Sequence, residues 1–228
     1  MLITLGIIGI VAAMTLPTVL GNVQDKVLES EAKKAANIVA NGYKLMMAHD
    51  EIFKVENIPF LSNCNEMEDI DCVSKAHKES FSIVADSAGT LSAEEMPDSY
   101  AISGKSQPSP FKWSDTKYMY TTGDGMIFGV IPDETTWSSF DVIVDVNGKN
   151  NPNVAIKDLH KYRLSGECGQ LYDVSEELEQ VSECSANNPS ACTTRQQCNS
   201  IDEECRALGY DGSAFFDDTG CYCGYDPK

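Results

Sequence analysis

The sequence lacks the motifs that mark the common enzyme classes. It contains no G-x-S-x-G nucleophile elbow, no H-E-x-x-H zinc motif, no Walker A loop and no G-x-G-x-x-G dinucleotide loop. Its three histidines stand in unrelated contexts, and its paired acidic residues, such as Glu94 with Glu95, are typical of solvated surface. We therefore expect a protein that is not an enzyme.

Positive charge is also scarce. The 17 Lys and Arg residues are outnumbered by 35 Asp and Glu residues, which gives a formal net charge of -18. Nucleic acids and anionic membrane surfaces are bound by clusters of Lys and Arg, so this balance argues against both as partners. A hydrophobic content of 42% excludes a fully disordered chain.

The first 20 residues contain no charged side chain at all, and the first charge along the chain is Asp25. As a helix they would be about 30 Å long, enough to cross the hydrocarbon core of a bilayer. The alternatives are a cleaved secretory signal, which normally begins with basic residues, and a buried core helix. The absence of basic residues before Lys26 favours a segment that resides in a membrane.

An amphipathic pattern follows the apolar segment without a turn between them. Apolar residues recur at steps of three and four, with charged residues between them, up to about His49. A single helix over this whole region would be about 70 Å long. We expect its second half to lay an apolar stripe on a globular head, and the stripe consists of Leu28, Ala32, Ala35, Val39, Tyr43 and Met46.

The run LITLGIIGIVAAMTLP, residues 2–17, resembles the N-terminal helix of type IV pilins and type II secretion pseudopilins. The resemblance implies processing by a prepilin peptidase, N-methylation, and assembly with copies of itself and other pilin-like subunits. It implies a single-pass inner-membrane subunit that a secretion or pilus machinery moves into a periplasmic or extracellular filament. The residues it assigns to membrane insertion and assembly are Leu2, Ile3, Leu5, Ile7, Ile8, Gly9, Ile10, Val11, Met14, Leu16 and Pro17.

Two features of the family bear on the beginning of this sequence. Its basic leader, its usual Phe and the Glu shortly after that Phe would lie upstream of Met1, so the start is an internal Met or the sequence is trimmed. Gly9 and Pro17 stand where pilin filaments commonly melt the helix, and the alternative for Pro17 is a simple kink. In an isolated subunit we expect no melting.

Residues 51–163 read as a pilin-like head. Prolines and short polar stretches predict a long irregular connection up to about residue 116. Alternating patterns then predict antiparallel strands at 117–122, 126–131 and 137–146, with one apolar side. Cys64 and Cys72 bracket a short acidic spacer, and a disulfide fits them better than zinc because no C-x-x-C pair accompanies them.

The stretch after the third strand resembles a D-x-N-G-x-x-x-P-N…D pattern of pilin-like proteins, with Asp158 as the later acid. That pattern usually has Gly where Ile156 stands. Asp145 and Asn147 could offer oxygen ligands to Ca²⁺, while the alternative is ordinary turn chemistry around Asn-Gly. Apart from this possible Ca²⁺, the sequence indicates no cofactor.

Residues 164–228 read as an acidic module stapled by disulfides. They carry three basic and thirteen acidic residues and seven of the nine cysteines, without the spacing of a zinc site. Short helices are predicted at 175–181 and 194–208. The module is either a display or adhesion element or a protease-resistant decoration. Its cysteines are Cys168, Cys184, Cys192, Cys198, Cys205, Cys221 and Cys223.

Together these features predict an α+β, pilin-like protein. A helix over residues 1–50, first transmembrane and then amphipathic, packs on an antiparallel sheet, and a small disulfide-rich module follows. The expected function is that of a structural pilin or pseudopilin subunit. The alternative is a membrane-anchored or secreted binding or adhesion protein whose tail recognises a ligand.

Overall fold

The computed structural model of the chain describes residues 2–65, 67–135, 137–166, 169–180, 214–217 and 220–223. For 2–14, 16–20, 214–217 and 220–223 the description covers the backbone only. The chain divides into two compact units, Met1–Glu179 and Gln180–Lys228. The first unit has an α+β architecture with one long helix and one antiparallel sheet.

Helix α1 spans Leu2–His49 without interruption over 48 residues. This confirms the prediction of one continuous helix, and the helix stays regular through Gly9 and Pro17, as expected of a single subunit. All six residues of the predicted stripe are at most 8% exposed, whereas Lys33 and Lys44 are exposed. Steps of three and four residues place the stripe on one face of a helix, so local periodicity alone located it.

Six strands form the sheet in sequence order, each antiparallel to the next. Strands β2 to β4 confirm the three predicted strands to within two residues, whereas β1, β5 and β6 were not predicted. In β5, the charged residues Lys161 and Arg163 alternate with the buried residues. The remaining apolar pattern is too short to predict a strand from the sequence. The strands are β1 (Ile83–Asp86), β2 (Tyr118–Thr122), β3 (Ile127–Pro132), β4 (Ser139–Asp145), β5 (Leu159–Ser165) and β6 (Gln170–Asp173).

The stripe of α1 packs against the face of the sheet that carries Phe140, Val142 and Val144, as the sequence predicted. The ring of Tyr43 meets that of Phe140 edge-on at 4.8 Å between centroids. The hydroxyl of Tyr162 donates a hydrogen bond to the carbonyl oxygen of Ala32 at 3.1 Å, which ties β5 to the helix. Burial of one large apolar side chain contributes about 1.5–3 kcal/mol, so the several side chains of this contact together contribute strongly to the stability of the unit.

The opposite face of the sheet is also covered, which corrects the expectation of one apolar side. Ile143 points away from α1 and is nevertheless fully buried. The connection between β1 and β2 supplies the cover, with Trp113 lying over Gly129 of β3 so closely that an added Cβ would be 3.0 Å from the indole ring. The long irregular connection is therefore a second layer of the core rather than a surface loop.

Two short helices lie between α1 and the sheet in sequence, α2 (Pro59–Ser62) and α3 (Ile70–Lys78). A disulfide joins Cys64 to Cys72 across the loop between them, as predicted, with the two Cα atoms 5.5 Å apart. Asp69 caps α3 by accepting a hydrogen bond from the backbone N–H of Cys72 at 3.1 Å. The bridge therefore fixes the start of α3 to the end of α2.

The first unit continues past residue 163, where the sequence placed its end. Strand β6 pairs with β5, and a 3-10 helix at Ser175–Glu179 buries Leu178. That 3-10 helix occupies most of the predicted helix at 175–181, whereas the predicted helix at 194–208 lies outside the described residues. In the second unit, strands β7 (Ala214–Asp217) and β8 (Gly220–Cys223) form an antiparallel hairpin.

Candidate functional site

The predicted assembly residues between Leu2 and Pro17 all fall within helix α1. The structure does not describe the side chains of these residues. Which of them would face a membrane or a neighbouring subunit therefore stays a prediction. Among the residues that the structure describes, no helix combines the length and the apolar character needed to cross a membrane.

The helix leaves the packed part of the first unit just before Leu28. Residues 21–27 are all exposed, although Val23 and Val27 are apolar, with exposed fractions of 54% and 48%. From Leu28 onward, every third or fourth residue is buried against the sheet. The backbone of α1 therefore extends about 40 Å on the N-terminal side of its contact with the sheet.

A second site surrounds the loop that follows β4. The indole N–H of Trp113 donates to the hydroxyl oxygen of Tyr100 at 3.0 Å, and that hydroxyl donates to Oδ2 of Asp145 at 2.5 Å. The other carboxylate oxygen, Oδ1, accepts from the backbone N–H of Asn147 at 3.2 Å. Sequence reasoning selected Asp145 but did not find Tyr100 or Trp113, because nothing local indicates that they meet it.

Both oxygens of Asp145 are thus used by donors of its own chain. The side chain is fully buried, and this burial raises the pKa of Asp145 to about 7. Asp145, predicted as a Ca²⁺ ligand, therefore orders the loop through Tyr100 and the Asn147 backbone. Within the described part of the chain, no group of three or more His, Cys, Asp or Glu side chains is placed to hold a metal ion.

Asp158 lies beside this carboxylate and is also fully buried. Its Oδ1 accepts from the backbone N–H of Val154 at 2.7 Å, whereas its Oδ2 has no hydrogen-bond partner. Burial raises the pKa of Asp158 to about 6. Two further buried oxygens of the same loop, Oδ1 of Asn147 and Oδ1 of Asn153, also have no hydrogen-bond partner.

One position of this loop has a backbone conformation that suits glycine better than its own residue. Ile156 adopts a φ of 65°, in the left-handed region where a β-branched side chain is strained and glycine is not. The pattern usually has Gly at this position. The loop of this chain therefore keeps a conformation that suits glycine even though its own residue does not favour it.

A cluster of charges on the sheet was also not predicted. The guanidinium of Arg163 contacts both carboxylate oxygens of Asp141, at 2.7 and 2.9 Å, and Glu177 at 2.9 Å. Lys161 contacts Glu177 at 2.6 Å and Asp141 at 2.8 Å. Because Glu177 belongs to the terminal 3-10 helix, the cluster holds the end of the unit on β4 and β5, which is a structural role.

Cys64 and Cys72 are the only predicted disulfide cysteines whose side chains belong to the described residues. Cys221 and Cys223 lie in strand β8, described by its backbone only. The pairing of the seven C-terminal cysteines therefore remains a prediction, and five of them, Cys168, Cys184, Cys192, Cys198 and Cys205, lie outside the described residues.

No protein-family model, no curated protein and no solved structure matches this chain.

Proposed function

We propose that this protein is a structural subunit, a pilin or pseudopilin, of a bacterial type IV pilus-like or type II secretion filament. The observation that carries the proposal is the division of α1. Its second half is a component of the globular core, whereas its first half extends beyond that core and is apolar in sequence over residues 1–20.

The different roles proposed for the two halves of α1 have a physical reason. A helix apolar on every side cannot remain in water, so it needs lipid or other apolar helices around it. The stripe from Leu28 to Met46 already has a partner in the sheet, whereas residues 21–27 are all exposed and their apolar side chains are not covered. The first half is therefore free to insert in the inner membrane and afterwards to pack against the same segment of neighbouring subunits.

The proposal is tested by photo-crosslinking in the organism that produces the protein. A photoreactive amino acid at Val27, which is 48% exposed on the free part of α1, should join copies of the chain in the sheared extracellular fraction. The matched control carries it at Val84 of β1, which is 71% exposed but distant along the chain from the proposed contact. We expect ladders of crosslinked subunits from Val27 that exceed those from Val84.

A second test uses the gene. The DNA upstream of the codon for Met1 should encode a short basic leader that ends in Gly, followed by Phe and a Glu. An ordinary promoter and ribosome-binding site directly before that codon, or a chain recovered from cells as a soluble monomer without detergent, would refute the filament function.

A further inference from the structure

We infer that a groove along α1 binds an extended, uncharged peptide segment of a partner protein. This α1 groove runs between residues 30–45 of the helix on one side and residues 80–82 and 122–124 on the other, and it encloses about 740 Å³. It belongs to the first unit, and the inference does not depend on the filament function.

The first reason is a set of neutral polar side chains in the α1 groove that the protein itself does not use. Thr122 is only 8% exposed, and its hydroxyl has no hydrogen-bond partner, although native proteins satisfy nearly all buried polar groups. Five more accessible side chains of the groove make no hydrogen bond to any residue that the structure describes. They are Ser30, Asn37, Asn41, Ser80 and Ser82.

The second reason is the spacing of the two asparagines. Asn37 and Asn41 lie one turn apart on α1, about 6 Å along its axis, and both are exposed in the groove. In an extended chain the N–H and C=O of one residue point to the same side, and they recur every second residue, at about 6.6 Å. A carboxamide both donates and accepts, so each asparagine can bond both groups of one residue. The pair therefore matches two alternate residues of an extended peptide.

The third reason is the apolar floor of the groove. Gly42 has no side chain, and the ring of Phe81 lies so close to it that an added Cβ would be 2.1 Å from Cε1. Ile38 and Leu45 line the groove on either side of this contact, and Leu45 is 55% exposed. Because side chains of an extended segment alternate between two sides, every second one would contact these apolar groups.

The charges of the groove indicate an uncharged ligand. Lys33 pairs with Glu29 at 2.7 Å, and Lys34 pairs with Asp124 at 2.6 Å across the groove. All three charged residues that line the groove, Lys33, Lys34 and Asp124, are thus paired, and a charged ligand would lose water without gaining a counter-ion. The α1 wall is about 22 Å long, which is the length of about seven extended residues.

A carbohydrate is the other neutral ligand that is rich in hydrogen-bonding groups. Saccharide rings usually pack on the exposed face of an aromatic side chain. The aromatic residue that lines the α1 groove, Phe81, is only 6% exposed. The groove therefore favours a peptide.

The test begins with the intact 228-residue chain in detergent micelles and a phage-displayed library of random heptapeptides. Parallel selections use the double variant Asn37→Ala with Asn41→Ala, and the control Asn22→Ala, which changes an exposed asparagine of the same helix outside the groove. We expect the unmodified chain and the control to enrich the same uncharged peptides and the double variant not to enrich them. The substituted side chains are all exposed, so all three chains should have the same circular dichroism spectrum.

The enriched peptides, synthesised with capped ends, then test the contact with the backbone by fluorescence anisotropy. The double variant should bind them at least about tenfold more weakly, because about four hydrogen bonds are lost. N-methylation of alternate backbone nitrogens should weaken binding to the unmodified chain by a similar factor in one alternate set and little in the other, because only one edge of the peptide faces α1.

Four results would overturn the inference. One is a selection in which the unmodified chain enriches no peptide, and another is equal enrichment by the double variant. A third is tolerance of both sets of N-methyl groups, which would mean that the asparagines do not bond the peptide backbone. The fourth is binding of a neutral glycan on an array that the double variant loses, which would make the groove a carbohydrate site.

Discussion

Replacing Gly42 with alanine tests the contact between α1 and the segment that leads into β1. Glycine inside a helix is less favourable than alanine by about 1 kcal/mol, so helix propensity alone predicts that Gly42→Ala is stabilising. In this structure a Cβ at position 42 would lie 2.1 Å from Cε1 and 2.3 Å from Cζ of Phe81. These distances are far below van der Waals contact, so we expect the opposite sign.

The magnitude follows from how tightly Phe81 is held. The side chain is 6% exposed, and its ring lies 4.9 Å from that of Tyr43 and 5.3 Å from that of Tyr120. A forced shift inside a packed core costs about 1–3 kcal/mol. After the helical gain is subtracted, Gly42→Ala should lower the free energy of unfolding by up to about 2 kcal/mol. The melting temperature of a unit of this size should then fall by up to roughly 8 °C.

The assay is thermal and urea unfolding of the chain followed by circular dichroism. Gly21→Ala is the matched control, because Gly21 lies in the same helix with nothing within 4 Å of its added Cβ, and it should cause no loss of stability. Shortening the ring with Phe81→Leu should rescue Gly42→Ala, with a favourable coupling of about 0.5–3 kcal/mol in the double-mutant cycle. A Gly42→Ala variant as stable as Gly21→Ala would refute the proposed packing.

Three further predictions concern the same unit. Val39→Asp places a charge at a fully buried position of the stripe and should unfold the unit, whereas Lys44→Asp on the exposed side of α1 should leave it folded. Circular dichroism measures the helical signal of both variants, and a folded Val39→Asp variant would show that the core lies elsewhere. Burial lowers the pKa of His77 to about 4, whereas an unfolded histidine titrates near 6.5, so the unfolded chain gains the proton first and stability is lost as pH falls through this window. Between pH 7.5 and 5 the free energy of unfolding, measured by urea titration, should fall by about 2 kcal/mol because of His77, and this fall should be absent from His77→Gln. Equal pH dependence of stability in the two proteins would contradict the prediction. Deleting 165–228 should lower the melting temperature more than deleting 180–228, because only the longer deletion removes β6 and the 3-10 helix after it; equal temperatures would show that these elements contribute nothing.

Sequence reasoning succeeded where structure depends on neighbours along the chain. The stripe of α1 repeats every three or four residues, so its buried face could be read without knowing what covers it. Strands β2 to β4 have alternating apolar and polar residues and are joined by short connections, so they could be predicted from the sequence in the same way. The Cys64–Cys72 bridge spans a short loop, so its pairing could also be predicted locally.

The unpredicted features depend on contacts between distant residues. Tyr100 and Trp113 belong to an irregular connection, and only the folded sheet brings them to Asp145. His77, to which its sequence context assigned no role, is fully buried: Nδ1 donates to the carbonyl oxygen of Val73 at 2.9 Å, and Nε2 accepts from the hydroxyl of Tyr43 at 3.2 Å.

The sequence by itself determined the long helix, its buried face and the three central strands, because periodicity is a local property of the chain. It also carries the apolar segment on which the proposed filament function depends. Only the tertiary structure decided that both faces of the sheet are covered and that Asp158, not Asp145, has the free oxygen. Which donors reach a buried carboxylate depends on backbone brought together from distant positions, and no spacing along the sequence records that.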